Sequence, residues 1–195
     1  MNIEILCIHD ITEEDIEDVK NHLPMRYAKS LKFKFRDDFL RCIGAGVLFR
    51  RAFPCVEENE ILETEYEKPY IPNHDFFNIS HSGDFVVFAK AETAIGVDIE
   101  KINDRHLNVA KRVFTEKELS WMNENPVERF FILWTQKEAV MKAVGKGLSL
   151  APESFDVMPF QENKSIILGG VQLYCTTKKY KNCYLSVCWE CEGDK

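Results

Sequence analysis

Apolar and polar positions follow two different periods along this chain, and the period changes where proline or glycine intervenes. Asn2 to Ile8 is rich in apolar residues and reads as a strand. From Thr12 to Leu23 the spacing becomes helical. Ile16, Val19 and Leu23 share one face, Thr12 can cap the start, and Pro24 stops the run. Asp37 to Phe53 predicts a second helix, ended by Pro54. Phe76 to Ser80, Phe85 to Ala91 and Ala94 to Ile99 read as strands, joined by HSGD and by Glu92-Thr93, which predicts a meander. Asn108 to Phe114 reads as helical, and Thr115 with Glu118 makes a capping box for the next helix. Asn125, Pro126 and Glu128 open the strongest helix, predicted to run to Val144 and to end at Gly145. Short strands follow over Ser165 to Leu168, Val171 to Thr176 and Tyr184 to Trp189. Each half therefore holds a long helix and a few strands. That predicts the α+β class, as two similar subdomains, 1–95 and 96–195, each with a small, mostly antiparallel sheet.

Composition narrows the picture. With 195 residues, 45% of them hydrophobic and 29% charged, the chain can bury a core and stay soluble. A net charge of −7 argues against bulk electrostatic binding to nucleic acid. The N-terminus has no cationic and apolar leader pattern, and no apolar run is long enough to span a membrane, so a cytoplasmic protein is expected. The seven cysteines are odd in number, which with that location predicts no disulfides. Cys188 and Cys191 form a CxxC with Cys175 and Cys183 upstream, but buried reduced thiols are a commoner outcome than a zinc site.

Candidate chemistry gathers in two segments. In IGVDIEK, Asp98 and Glu100 are two apart, so on a strand both carboxylates point to one face. In WTQKEAVMKAVGKG, Glu138 lies within a largely apolar helical stripe, one turn before Lys142. Three converging carboxylates require a hard cation between them, and Mg²⁺ completed by phosphate oxygens is the usual solution. Taken alone, Glu138 and Lys142 are an ordinary surface pair. Lys146 between two glycines shifts the reading towards a phosphate or an acidic partner. Ser80 and His81 in NISHSGD suit an anion, although for a lone His a plain hairpin turn is the commoner explanation, and there is no GxSxG elbow for a hydrolase. The stretch Met25 to Arg36 carries Arg26, Lys29, Lys32, Lys34 and Arg36, a solvated face by default and the natural place for an anionic ligand in an acidic protein.

Taken in order, EKPYIP (Glu67 to Pro72), FNISHSG (Phe77 to Gly83), IGVDIEK, FTEKEL (Phe114 to Leu119) and WTQKEAVMKAVGKGLS (Trp134 to Ser149) resemble the Sfp-type 4′-phosphopantetheinyl transferases. The resemblance implies a monomeric pseudo-dimer of two α+β halves with coenzyme A between them. It implies Mg²⁺ on Asp98, Glu100 and Glu138, and Lys142 on the pyrophosphate. It implies Ser80 and His81 on the phosphate side, Lys68 beside the adenine, and Arg26 with Lys29 on the 3′-phosphate. Glu67 and Cys42 depart from the usual pattern, which has Gly and, in some members, a hydroxyl residue. The implied reaction transfers phosphopantetheine to a serine of an apo carrier protein. Glu138 is then the first candidate to accept the serine proton, with Glu118 as a supporting partner. The rival readings are a Mg²⁺-dependent phosphohydrolase or nuclease and a non-catalytic module that binds coenzyme A or a carrier.

Overall fold

The computed structural model describes residues 1–103, 107–158 and 165–191. The chain runs β1 (Asn2–Cys7), α1 (Glu13–His22), α2 (Pro24–Ser30), α3 (Arg36–Ala52), β2 (Leu62–Glu63), β3 (Pro69–Tyr70), β4 (Phe76–Ser82), β5 (Phe85–Ala91) and β6 (Ile95–Lys101). It continues through α4 (Ala110–Val113), α5 (Glu116–Met122), α6 (Pro126–Val144), β7 (Ser165–Leu168), β8 (Val171–Tyr180) and β9 (Cys183–Glu190).

Local signals explain most boundaries. Thr12 Oγ1 accepts from the Asp15 N–H at 3.1 Å, and Asp15 returns a carboxylate oxygen to the Thr12 N–H at 2.9 Å, closing the α1 capping box. Thr115 and Glu118 do the same for α5. Gly145 ends α6 at φ 78°, where a left-handed residue is needed, and its N–H reaches the Met141 carbonyl at 3.0 Å. At the α6 N-terminus, Asn125 donates its amide to Glu128 at 3.2 Å instead of capping a backbone N–H. Pro24 stops α1 but also opens α2, a helix not expected in the basic stretch. A proline fits a first helical turn, and the Glu58 carboxylate accepts from the N–H groups of Met25 and Arg26 at 2.8 and 2.9 Å.

The three strands predicted as a meander are split. β5 pairs antiparallel with β1 and β4, giving a sheet of order β1-β5-β4. β6 leaves it to pair with β9, in a sheet of order β6-β9-β8-β7. Alternation shows why: both faces of β5 are apolar. Val86 and Phe88 pack towards α3, while Phe85, Val87 and Ala89 meet Val97 and Ile99 of β6 and Leu185 and Val187 of β9. A strand buried on both faces sits better between two layers than at the middle of a one-sided meander. The result is α3 on one sheet, α6 on the other, and a shared apolar layer between the sheets.

One expectation about the cysteines is overturned. Cys175 and Cys188 face each other across β8 and β9, with Cα atoms 4.2 Å apart, and are joined as a disulfide. Strand register, invisible in the cysteine count, brings them together. Among the described residues no group of three His, Cys, Asp or Glu side chains could hold a metal ion, and no helix is long and apolar enough to cross a membrane.

Candidate active site

β4 and β6 run side by side, and α6 lies across the β6 face that carries Gly96, Asp98 and Glu100. The approach is close enough that a Cβ on Gly96 would sit 2.1 Å from the Ala139 carbonyl oxygen. Asp98, the next residue on that face, is consequently 3% exposed. Its Oδ1 accepts from Lys142 Nζ of α6 at 2.6 Å and from Ser80 Oγ of β4 at 2.8 Å. Lys142 also donates to Ser80 Oγ at 3.2 Å. Three residues distant in sequence, from β4, β6 and α6, thus meet at one point. The other carboxylate oxygen, Asp98 Oδ2, is buried and has no hydrogen-bond partner among the described residues. An orphaned anionic oxygen in that position fits a cation.

Glu100 accepts from Ser82 Oγ at 2.7 Å. Glu138 is half-buried, and burial pushes its carboxyl up to about 7, with Lys142 pulling down and the Asp98 and Glu100 charges pushing up. All three acids of the expected metal set therefore feel one another. Among the described residues they do not close into a ligand cluster as placed: Asp98 pairs with Lys142, and Glu100 accepts from Ser82.

His81, next along β4, has an exposed ring. Its pKa is lowered, first by partial desolvation and then by the positive charges of Arg41 and Lys142. Arg41 is a residue that sequence reasoning missed. It lies on α3, donates to the Gly83 carbonyl at 2.6 Å and pairs with Asp38. Its helix also carries Arg36, Asp37, Asp38, Arg50 and Arg51, so no sequence signal singled it out. Arg41 and Lys142 thus bring two cations beside His81 at this mouth of the molecule, groups that an anionic ligand can use.

The remaining candidates fall into two groups. Arg26 and Lys29 lie on α2; Arg26 is half-buried beside α3, where Cys42 Sγ donates to its carbonyl at 3.7 Å, while Lys29 is exposed. Lys68 is half-buried, donating to the carbonyls of Ile95, Lys142 and Ala143 at 3.1, 2.7 and 3.2 Å, so it caps the end of α6. Glu118 does not support the site. It forms a fully buried pair with Lys137 at 2.9 Å and accepts from the Val157 N–H at 2.9 Å, on the side of α6 away from Asp98. Lys137 and Glu138 are adjacent, so they project from different faces of α6.

The family model for the 4′-phosphopantetheinyl transferase superfamily matches residues 94–189. Over 170 residues the chain is 35% identical to the 4′-phosphopantetheinyl transferase Sfp of Bacillus subtilis (strain 168), an alignment covering 81% of this chain and 76% of that protein. The chain belongs to this superfamily. A second Bacillus subtilis relative, the 4′-phosphopantetheinyl transferase ffp, is 40% identical over 167 residues, covering 78% of this chain and 74% of its own. A rat L-aminoadipate-semialdehyde dehydrogenase-phosphopantetheinyl transferase is 34% identical over 114 residues, 51% of this chain and 36% of its own. The superfamily match contains Asp98, Glu100, Glu138 and Lys142. Ser80, His81 and Arg41 precede it, so the site joins the matched half to the half outside the match.

Proposed function

We propose that this transferase moves the 4′-phosphopantetheine arm of coenzyme A to a serine hydroxyl of an apo carrier protein and releases adenosine 3′,5′-bisphosphate. The observation that carries the reading is the meeting of Lys142, Asp98 and Ser80 beside an orphaned buried carboxylate oxygen. Asp98, Glu100 and Glu138 would hold a magnesium ion, whose contribution is to neutralise pyrophosphate charge. Lys142 supplies a second positive charge on the leaving bisphosphate. Glu138, half-buried and poised near neutrality, accepts the serine proton as the serine oxygen bonds to phosphorus and the bridging P–O bond breaks. Ser80, His81, Arg26, Lys29 and Lys68 line the side that receives the nucleotide. The two helix-on-sheet halves, divided near residue 95, support the pseudo-dimer reading, with the chain acting as a cytoplasmic monomer.

The test is direct. The protein is mixed with coenzyme A, Mg²⁺ and several apo carriers, and the carrier mass is read. Addition of one phosphopantetheine to a carrier, lost in Asp98→Ala with its circular dichroism unchanged, is the expected result. Hydrolysis of coenzyme A without any carrier gain would point instead to a phosphohydrolase.

A further inference from the structure

The edges of β4 and β6 are bridged by side chains. Asn78 Oδ1 accepts from the Val97 N–H at 2.9 Å, Ser80 Oγ from Ile99 at 3.4 Å and Ser82 Oγ from Lys101 at 3.0 Å. Each pair is separated by 19 residues, so the two strands run parallel along this seam. The two serines then do something the asparagine does not. Ser80 donates to Asp98 and Ser82 donates to Glu100 at 2.7 Å, each to the residue just before its own backbone partner. The residue in the equivalent place for Asn78 is Gly96, which has no side chain to receive a bond.

A hydroxyl has a single proton. An oxygen already accepting from a fixed N–H turns that proton in one direction, here onto Glu100. We propose that Ser82 is a positioning residue: the N-terminal half uses it to orient the Glu100 carboxylate of the C-terminal half for cation binding. This inference rests on the reading of Glu100 as a metal ligand. The bond holds one carboxylate oxygen, Oε2, and so restricts where the other points. Removing a partner that orients a ligand typically costs about tenfold or more in metal affinity.

Mn²⁺, which takes the same oxygen ligands, serves as the probe. The full-length protein with bound coenzyme A is titrated with Mn²⁺, and free Mn²⁺ is followed by electron paramagnetic resonance. Ser82→Ala should weaken Mn²⁺ binding by about tenfold and leave coenzyme A binding without metal unchanged. Ser82→Thr, which keeps the hydroxyl, should recover most of the affinity. Asn78→Ala breaks the same seam with no carboxylate attached, so it should lower thermal stability and leave Mn²⁺ affinity unchanged. An unchanged Mn²⁺ affinity in folded Ser82→Ala overturns the proposal. So does an equal loss in Asn78→Ala, which would make the seam merely structural. Should Ser82→Ala fail to fold, Ser82→Cys, whose thiol is a poor donor, must show the same loss. If Glu100→Gln binds Mn²⁺ like the wild type, the ligand assignment itself is wrong.

Discussion

At the scale of single residues, the site is built from charged groups placed where water cannot fully solvate them. Lys68 is the clearest case. Burial pushes its ammonium down to about 8, against three carbonyl oxygens that favour the charged form. In the unfolded chain a lysine titrates at about 10.4. Below pH 8 both states hold the proton and the burial cost is fully present. Between about pH 8 and pH 10 the folded state has released its proton and the unfolded state has not, so this group makes stability rise with pH. Lys68→Met lacks that rise. Its melting temperature should therefore fall relative to wild type between about pH 7 and pH 10. Parallel pH curves for the two proteins would show that Lys68 titrates normally. The motifs around Ser80, Asp98 and Lys142 were legible residue by residue, because their types and spacing carry the chemistry. Arg41 was not, because nothing in its sequence neighbourhood distinguishes it from a surface cation.

At the scale of elements, helices were legible where capping chemistry is local, as at Thr12, Thr115 and Gly145. The α2 helix was not, since its first N–H groups are satisfied by Glu58, more than thirty residues away. The contact of β6 with α6 sets the depth of the site. A Cβ on Gly96 would lie 2.1 Å from the Ala139 oxygen and 2.3 Å from the Ala143 nitrogen, both backbone atoms that cannot rotate aside. Gly96→Ala must push strand and helix apart. It should cost about 3 kcal/mol or more in denaturant unfolding and displace Asp98 from Lys142, with loss of transfer. A loss of under about 1 kcal/mol would contradict this packing.

At the scale of the whole molecule, charge sets how a partner approaches. The chain carries −7, so an acidic carrier is repelled overall and must be met by a local basic surface. Lys111 and Arg112 on α4 are both exposed, in the half that carries Asp98 and Glu138. Charges act locally within roughly 8 Å at physiological salt, and more distant acids are screened. The double variant Lys111→Glu, Arg112→Glu should raise KM for the carrier severalfold, leave KM for coenzyme A nearly unchanged, and lose its defect as salt rises. An unaltered carrier KM at low salt would move the docking surface elsewhere.

The sequence by itself determined the α+β class, most helices and strands, and the family resemblance with its ordered motifs. All of these depend on short-range patterns: period, caps, and residue types at fixed spacing. Tertiary structure alone decided that β6 leaves the first sheet, since that depends on which apolar face finds a partner. It decided that Cys175 and Cys188 meet, because register is a property of two strands and not of one. It turned Glu118 away from the site and onto Lys137. It also brought Ser80, Asp98 and Lys142 together from β4, β6 and α6, because a buried charge settles where another element supplies its partner.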